Sequence, residues 1–385
     1  RCSDFLLVSI YIFVHQENKQ KKIITVTTEN IFIKVKGAIA FALFALLTSC
    51  TGNACIQDDI NSDKTIILYV VANNNLNPSA KRLLDNLEKY IKENYASLKS
   101  VNLIVLYNSP KGSILLVNKN KYLERVKSYG TINSLSKENM TAVLKDIGKM
   151  FPARENGVIF WSHGTGWLTA GNTRSFGDDG GEAIEITDMA ESLAAKYDYV
   201  IFDACYMGSI EVATAFRNKC SYFLASPDAI PIDGIIDTTT ISILVQDNPL
   251  KERLINTCEA FSHKMDRKYL PVTVIDEGKI DGFINYVRDL NIDLSNITFE
   301  QLYSYNFRGY DIYFDIKTLF SQLEEKTLST LSNVILYPSD KQECCGVSIF
   351  IPQKGNVNYW DYYSIIEWNL LTNWLSKWPD YAKSQ

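Results

Sequence analysis

Short runs of apolar, mostly β-branched residues recur through the first half of the chain, and each is long enough for one buried strand. Four of these runs cover residues 65–72, 101–107, 157–161 and 199–202. Apolar positions at helical spacing lie between them, over residues 78–95, 136–150, 188–196 and 208–216. Continuous apolar strands that alternate with helices are typical of a sheet covered on both faces. The pattern therefore predicts an α/β fold with a mainly parallel sheet flanked by helices.

The second half of the chain is less regular. Helical spacing recurs over residues 250–265 and 279–290, and the aromatic-rich stretch 360–378 predicts a terminal helix. No clear linker separates the two halves. We therefore expect residues 64–245 to form the main domain and residues 246–385 to complete it as a C-terminal α+β extension.

The N-terminal part of the chain has a different character. Residues 34–50 combine a basic flank, the short apolar run GAIAFALFALL and small residues, which are the parts of a secretory signal. The tetrad LTSC that ends this segment resembles the lipobox of bacterial lipoproteins. That resemblance implies a lipid on Cys50, a membrane anchor and a location in the cell envelope; an ordinary cleaved signal and an uncleaved anchor are the alternatives. Residues 51–63 predict a flexible tether, and residues 1–33, which do not begin with Met, are expected to lie upstream of the true start.

Composition and charge narrow the classes of function. The chain has 385 residues, a formal net charge of −5 and no basic run interleaved with aromatic residues, which argues against nucleic-acid binding. Its eight cysteines form no paired CxxC clusters and it has only three histidines, so a Cys/His zinc site is poorly supported. We expect no required metal or cofactor.

Two of the predicted strands run directly into chemically reactive residues. The strand at 157–161 leads into His163, and the strand at 199–202 leads into Cys205. In a parallel sheet both residues lie at the carboxyl edge, where the sites of α/β proteins form, and adjacent strands are about 5 Å apart. We therefore expect His163 and Cys205 to face each other across a cleft.

This pair has the chemistry of nucleophilic catalysis, because an imidazole can take the proton of a thiol and leave a strong nucleophile. The predicted helix at 208–216 should lower the pKa of the Cys205 thiol further through its amino end. The N–H groups of Gly164 and Cys205 could form an oxyanion hole. Taken singly, such a Cys or His is more commonly structural. The order of His163 before Cys205, 42 positions apart, favours a catalytic pair.

The motifs around both residues resemble a known family. FWSHGTGW around His163 and FDACYMGSIEVA around Cys205 are similar to the two signatures of the clostripain-like cysteine peptidases, relatives of the caspases. ASPDAIP at 225–231 and GVSIFIP at 346–352 extend the resemblance, which covers about residues 63–378. It implies a caspase-like sheet, a dyad with His163 as general base and Cys205 as nucleophile, and cleavage of peptide bonds in proteins or peptides.

The resemblance also implies a substrate preference. Asp203 occupies the position that lines the S1 pocket in this family, so we expect cleavage after Arg or Lys. A partly buried carboxylate needs a cationic partner, which a substrate guanidinium can supply. The alternatives are that Asp203 orients His163 or caps the following helix. Asp228 and Asp233 are further candidates for the pocket, and the stretch at 232–237 departs from the glycine- and aromatic-rich sequence of relatives, which leaves the pocket rim undefined.

A glycine-rich polar loop, residues 169–186, lies between the predicted base and nucleophile. Family members are often matured by cutting themselves in this interval, which implies autocleavage at Arg174; an uncut surface loop is the alternative. Asp178, Asp179 and Glu182 could bind Ca²⁺, which some relatives need, although their spacing does not match an EF-hand loop.

Three hypotheses of function follow. The first is an envelope-anchored cysteine endopeptidase that cleaves after Arg or Lys and processes itself. The second is a catalytically silent peptide-binding lipoprotein on a peptidase scaffold. The third is a different thiol hydrolase or acyltransferase; a tyrosine phosphatase is disfavoured, because Glu211 stands where its signature would place an arginine.

Overall fold

The computed structural model describes residues 62–168, 175–264, 271–290, 297–323, 325–337 and 344–378. The predicted lipidation site Cys50 and the predicted autocleavage site Arg174 lie outside these residues. None of the helices within the described ranges combines the length and apolar character that a membrane span needs.

The described part of the chain contains fourteen strands in three sheets. In chain order they are β1 (Ser62–Val71), β2 (Val101–Ser109), β3 (Gly112–Lys119), β4 (Tyr122–Gly130), β5 (Ala153–Trp161), β6 (Phe176–Asp179), β7 (Glu182–Ile184), β8 (Tyr197–Asp203), β9 (Cys220–Ala225), β10 (Thr273–Asp276), β11 (Ser304–Phe307), β12 (Tyr310–Asp315), β13 (Ile335–Tyr337) and β14 (Ser348–Phe350). β6 and β7 form a hairpin, and β11, β12 and β14 form a small antiparallel sheet.

The remaining nine strands form the main sheet, in the order β13-β10-β9-β8-β5-β1-β2-β3-β4. Its five central strands, β9 to β2 in that order, are parallel to one another. Two antiparallel strands extend the sheet at each edge. The predicted mainly parallel sheet is therefore confirmed. β10 and β13, which lie after residue 245 in the chain, belong to this same sheet.

Eleven α-helices are described, and they pack on the sheets or connect their strands. They are α1 (Asn77–Asn94), α2 (Lys137–Met150), α3 (Ile186–Ser192), α4 (Ile210–Phe216), α5 (Thr238–Leu244), α6 (Leu250–Lys264), α7 (Glu277–Asp289), α8 (Ile316–Phe320), α9 (Glu325–Ser332), α10 (Trp360–Ser364) and α11 (Glu367–Thr372). Three short 3₁₀ segments cover Phe299–Gln301, Lys354–Tyr359 and Leu375–Lys377.

Alternate residues of the central strands enter two separate cores. On β1, Ile67 and Tyr69 belong to one buried cluster, whereas Ile66 and Leu68 belong to the other. Because side chains alternate across a strand, both faces of the sheet are covered by apolar groups. This double burial explains why the central strands read as continuous apolar runs in the sequence.

Two helix predictions are wrong in extent. The helix predicted at 188–196 begins and ends earlier, as α3. The stretch at 360–378 is not one helix, because extended backbone at Ile366 and left-handed backbone at Asn373 (φ 53°) divide it. These breaks let aromatic side chains of successive short segments, among them Trp368 and Trp374, enter the same core.

Candidate active site

The parallel pairing of β5 with β8 brings the two predicted catalytic residues side by side. Trp161, the last residue of β5, pairs with Asp203, the last residue of β8. His163 and Cys205 each follow two residues later, so they leave adjacent strands at the same level. Gly164 lets the two loops touch, because a Cβ built on it would lie 2.5 Å from the carbonyl oxygen of Cys205.

The loop that carries His163 pairs with the β6–β7 hairpin. The Gly177 N–H donates a hydrogen bond to the His163 carbonyl oxygen at 2.9 Å. The half-buried imidazole places its Nε2 2.7 Å from Oδ1 of Asn75. Burial lowers the pKa of His163, and the nearby Asp178 carboxylate opposes that shift. The imidazole is therefore held mainly in its neutral form near neutral pH.

Asp179 fixes the hairpin against the end of the sheet. Its buried carboxylate accepts hydrogen bonds from Nδ2 of Asn73 at 2.9 Å and from Nδ2 of Asn108 at 3.1 Å. It also accepts from the N–H and the hydroxyl of Ser134, at 2.7 and 2.8 Å. One carboxylate thus ties together β6, the end of β1, β2 and the segment before α2.

The thiol of Cys205 is held by backbone groups rather than by His163. The Ile230 N–H lies 3.4 Å from Sγ, and Sγ lies 3.8 Å from the Ile230 carbonyl oxygen. Burial raises the pKa of the thiol; the Ile230 backbone lowers it by less, and the Asp203 and Asp228 carboxylates raise it further. In the described part of the chain, no hydrogen bond joins this thiol to the imidazole.

The predicted lowering of the Cys205 pKa by the following helix is wrong. α4 begins at Ile210 and has only seven residues. The Ser209 hydroxyl caps it, accepting a hydrogen bond from the Val212 N–H at 3.2 Å. The effect of a helix amino end fades within one turn, and Cys205 lies a further turn away. Burial therefore dominates the pKa of the thiol.

Tyr206, directly after the predicted nucleophile, has a left-handed backbone with φ of 61°. A bulky residue adopts this conformation only where its surroundings enforce it. The Tyr206 ring stacks on Tyr313, with ring centroids 5.5 Å apart, and packs edge-to-face on Phe307. Its hydroxyl donates to the Asn306 carbonyl oxygen at 2.9 Å. The β11–β12 hairpin therefore enforces the turn after the nucleophile.

Two clefts meet at His163. The smaller, of about 210 Å³, is formed by both strand ends and the loop after β9, and is lined by Leu76, Trp161, Ser162, His163, Asp203, Cys205, Ile230, Pro231, Ile232 and Gly234. The larger, of about 610 Å³, is formed by the segment after β1 and the two hairpins, and is lined by Asn75, His163, Gly164, Thr165, Gly177, Asp178, Gly181, Glu182, Ala183 and Arg308. The predicted nucleophile lines the smaller cleft.

Asp203 lines the smaller cleft and is 3% exposed. Its Oδ1 and Oδ2 accept the N–H groups of Ile235 at 2.7 Å and Ile236 at 2.9 Å. Gly234 (φ 61°) lies so close that a Cβ there would be 2.5 Å from Oδ2. The carboxylate thus holds the loop that forms one wall of the cleft, a role that the sequence did not suggest. Its part in the S1 pocket stays a prediction.

The other two predicted pocket residues lie elsewhere. Asp228 is close enough to Cys205 for its charge to raise the thiol pKa, but the residues that line the smaller cleft do not include it. Its Oδ1 accepts the Ala229 N–H at 2.7 Å. Asp233 is exposed and lines a separate cleft of about 350 Å³.

The predicted oxyanion hole involves the amides of Gly164 and Cys205. The two neighbours of Gly164, His163 and Thr165, make the hydrogen bonds to residues 175–177. The Gly164 N–H therefore takes no part in that pairing. The oxyanion hole stays a prediction.

No group of three or more His, Cys, Asp or Glu side chains in the described ranges is arranged to hold a metal ion. Of the residues predicted for Ca²⁺, Asp179 already accepts four hydrogen bonds from protein groups. Oδ1 of Asp178 accepts the Gly181 N–H at 2.8 Å. Calcium binding stays a prediction.

Sequence reasoning missed two residues that contact the predicted dyad. Asn75 follows β1, whose neighbour in the sheet is β5, so the rule that sites form at the carboxyl edge could have identified it. Ile230 contacts the thiol through its backbone alone. No side-chain pattern in the sequence signals such a contact.

Comparison with known proteins identifies the family of this chain. Residues 68–345 match the model of the clostripain family of C11 peptidases. The fold is similar to that of a secreted C11 cysteine protease from Bacteroides thetaiotaomicron in complex with an irreversible peptide inhibitor, with a TM-score of 0.71 and 23% identity over 81% of this chain and 99% of that chain. It is also similar to an inactive zymogen C11 protease from Parabacteroides distasonis, with a TM-score of 0.69 and 22% identity over 81% of this chain and 98% of that one. Curated protein sequences give no significant match. The family model covers most of the chain and confirms the resemblance seen in its motifs: this chain belongs to the clostripain family of cysteine peptidases.

Proposed function

We propose that this peptidase is an endopeptidase that cleaves after Arg or Lys through an acyl-enzyme, with Cys205 as nucleophile and His163 as general base. The observation that carries the proposal is the strand register: Trp161 pairs with Asp203, so the imidazole and the thiol follow at equivalent positions on adjacent strands. Both side chains line the same cleft. A substrate carbonyl in that cleft would lie within reach of both groups.

The reaction proceeds by two transfers of an acyl group. The imidazole takes the Sγ proton while Sγ bonds to the carbonyl carbon, and the imidazolium then gives that proton to the leaving nitrogen as the C–N bond breaks. Water next gives a proton to the imidazole and attacks the thioester. The C–S bond breaks, and Sγ regains its proton.

The resting pair is neutral in this proposal. Burial raises the pKa of the Cys205 thiol and lowers the pKa of His163, and both shifts oppose a thiolate–imidazolium pair before substrate binds. His163 therefore acts as a general base during attack. Substrate must also displace or bridge the Ile230 backbone contacts of the thiol.

The preference for Arg or Lys rests on Asp203. Its carboxylate lines the cleft of the nucleophile, together with apolar side chains such as Trp161 and Ile232. A cationic side chain that enters this cleft would find a carboxylate of opposite charge where little water can screen it. An apolar side chain of similar length could not form an ion pair with this carboxylate.

Hydrolysis of an arginyl-coumarin amide tests the reaction. We expect Cys205→Ala to lower kcat/KM by at least about 10³-fold, whereas Cys220→Ala, which removes a buried thiol on β9, should retain activity. Equal rates in Cys205→Ala and parent would contradict the proposal. A folded parent that binds peptides but neither turns over nor reacts with a thiol-directed probe would favour the silent binding protein instead.

Asp203→Asn tests the preference and separates it from a general thiol hydrolase activity. The variant keeps one carbonyl oxygen for one loop amide, turns its NH₂ group towards the other amide and loses the charge. We expect the ratio of kcat/KM for arginyl over norleucyl amides to fall about 10–100-fold, as for the loss of one charged contact. An unchanged ratio would remove Asp203 from substrate recognition.

Anchoring, processing and metal dependence complete the proposal. We infer from the sequence that Cys50 carries a lipid in the cell envelope, that the chain cuts itself after Arg174, and that Ca²⁺ is an optional ligand. Mass spectrometry of the parent and of Cys205→Ala, both expressed in a bacterial envelope, tests the first two points together. The lipid mass should be present in both proteins, and the cut after Arg174 only in the parent. Measuring activity with and without a chelator tests whether Ca²⁺ is needed.

A further inference from the structure

We propose that Asn75 is a positioning residue that fixes which nitrogen of His163 acts as the base. The Asn75 amide oxygen lies 2.7 Å from Nε2 of His163. This inference rests on the proposed function, because it assigns a role to the general base of that reaction. It adds a third side chain to the predicted pair of His163 and Cys205.

The chemistry of the amide oxygen decides the tautomer. An amide oxygen only accepts hydrogen bonds, so Nε2 must carry the proton in this contact. A neutral imidazole has one N–H and one lone pair, and Nδ1 of His163 therefore holds the lone pair. Nδ1 is the nitrogen that takes the Sγ proton and later returns it to the leaving amine.

The backbone around Asn75 is fixed before any substrate binds. The Asn74 side chain accepts the Leu76 N–H at 2.8 Å and donates to the Asp178 carbonyl oxygen at 2.5 Å. Asn73 receives the Gly180 N–H at its carbonyl oxygen, at 3.0 Å. Asn75 itself is exposed. The segment therefore holds the Asn75 side-chain amide at a preset position, where it contacts the imidazole of His163.

A neutral partner suits this site better than a carboxylate. The charged or titratable groups that share a cleft with His163 are Asp178, Glu182, Arg308, Asp203 and Cys205. A carboxylate bonded to Nε2 would stabilise the imidazolium and raise its pKa. The Asn75 amide orients the ring without that effect, so the base stays deprotonated at neutral pH.

The test compares Asn75→Ala and Asn75→Asp with Asn73→Ala on the arginyl-coumarin amide. We expect Asn75→Ala to lower kcat roughly 10–100-fold, part of the factor that a general base contributes, with KM within about twofold and an unchanged Tm. Asn75→Asp should recover much of kcat, but with the acid limb of the pH profile moved up by about one pH unit. Asn73→Ala should lower Tm, because it removes a partner of buried Asp179. A parent-like kcat and pH profile in Asn75→Ala would overturn the role.

A second measurement does not depend on turnover. The chain has only three histidines, so ¹H–¹⁵N correlation spectra of the Cys205→Ala protein can be assigned by comparison with His163→Ala. We expect the neutral His163 to carry its proton on Nε2, and a mixture of tautomers after Asn75→Ala. A proton on Nδ1 in the protein with Asn75 intact would overturn the inference. An Nε2 proton in a protein whose parent fails to hydrolyse the amide would instead count against the proposed function alone.

Discussion

The loop that carries His163 and the loop that carries Cys205 leave the same sheet edge, but different interactions hold them. The base loop is held by polar side chains, above all by the Asp179 carboxylate and the segment after β1. The nucleophile loop is held by stacked aromatic rings and by backbone contacts to the loop after β9. These polar contacts of the base loop lie within residues 73–180, whereas the stacked rings at the nucleophile loop include Tyr313, beyond residue 300.

This difference shows that the C-terminal region stabilises a site whose residues precede it in the chain. Tyr206 keeps its left-handed backbone because the β11–β12 hairpin packs on it. Ser348 on β14 donates its N–H to the Gly208 carbonyl oxygen at 2.9 Å. Tyr313 also links the two loops, since its ring stacks on Tyr206 and its hydroxyl donates to the Thr165 carbonyl oxygen. Removal of the C-terminal region should therefore disturb the nucleophile more than the base.

Tyr313→Ala should have the largest effect, because it removes a side chain that contacts both loops. The ring is fully buried, so we expect a loss of about 3–5 kcal/mol in the free energy of unfolding. Tyr310→Ala on the same strand removes a ring that is 65% exposed, and it should change the free energy of unfolding by less than about 0.5 kcal/mol. Urea unfolding measures both values, and equal losses of stability in Tyr313→Ala and Tyr310→Ala would contradict the prediction.

Glu211→Gln tests the nucleophile side by its pH dependence. Burial raises the pKa of Glu211 from 4.5 to about 7, while its Oε1 accepts the Phe350 N–H and the Tyr363 hydroxyl. The carboxyl is protonated in the folded protein where it would ionise in the unfolded chain. Its contribution to stability is therefore present below pH 4.5 and lost as the pH rises through 7.

Because one pH unit corresponds to about 1.4 kcal/mol, Glu211→Gln should be up to about 3 kcal/mol more stable than parent at pH 8. It should match parent at pH 4. Glu93→Gln, an exposed control, should follow parent at both values. Parallel stability curves for Glu211→Gln and parent would refute the assignment.

Asp179→Asn tests the base side. The amide keeps one acceptor oxygen but turns an NH₂ group towards donors from Asn73, Asn108 or Ser134. We expect a loss of about 1–3 kcal/mol in the free energy of unfolding, the cost of buried donors without partners. Exposed Asp85→Asn is the matched control and should show no loss. Equal melting of the two variants would mean that Asp179 does not hold the hairpin.

Asp178→Asn should have the smallest effect, a shift in the pH profile of activity. The acid limb in the parent should lie below pH 6.5, because burial lowers the pKa of His163. Asp178 raises that pKa, so its neutralisation should move the limb down by a few tenths of a pH unit. The test is to measure kcat/KM against pH for Asp178→Asn and for the control Asp85→Asn. An acid limb that moves to higher pH in Asp178→Asn would contradict the prediction.

The parts of the fold that follow from local patterns could be predicted. The central strands were visible because both of their faces are buried. The helix predicted over residues 136–150 is present as α2, and it begins directly after Ser136, whose side chain accepts the Asn139 N–H. The β6–β7 and β11–β12 hairpins were missed, because their strands have only three to six residues and alternate weakly. The terminal helix was overextended, since aromatic content alone does not show where backbone breaks such as Asn373 occur.

Periodicity and short motifs were enough to predict the class of sheet, the family and the two residues that line the cleft. The folded chain was needed to find that burial, not a helix, governs the Cys205 pKa, that Asp203 binds loop amides, and that Asn75 contacts His163. These features could not be predicted, because a pKa and a hydrogen-bond partner depend on groups brought together from distant parts of the chain. Residues 75, 163, 205 and 230 become neighbours only when β1, β5 and β8 align and the loop after β9 closes over the thiol.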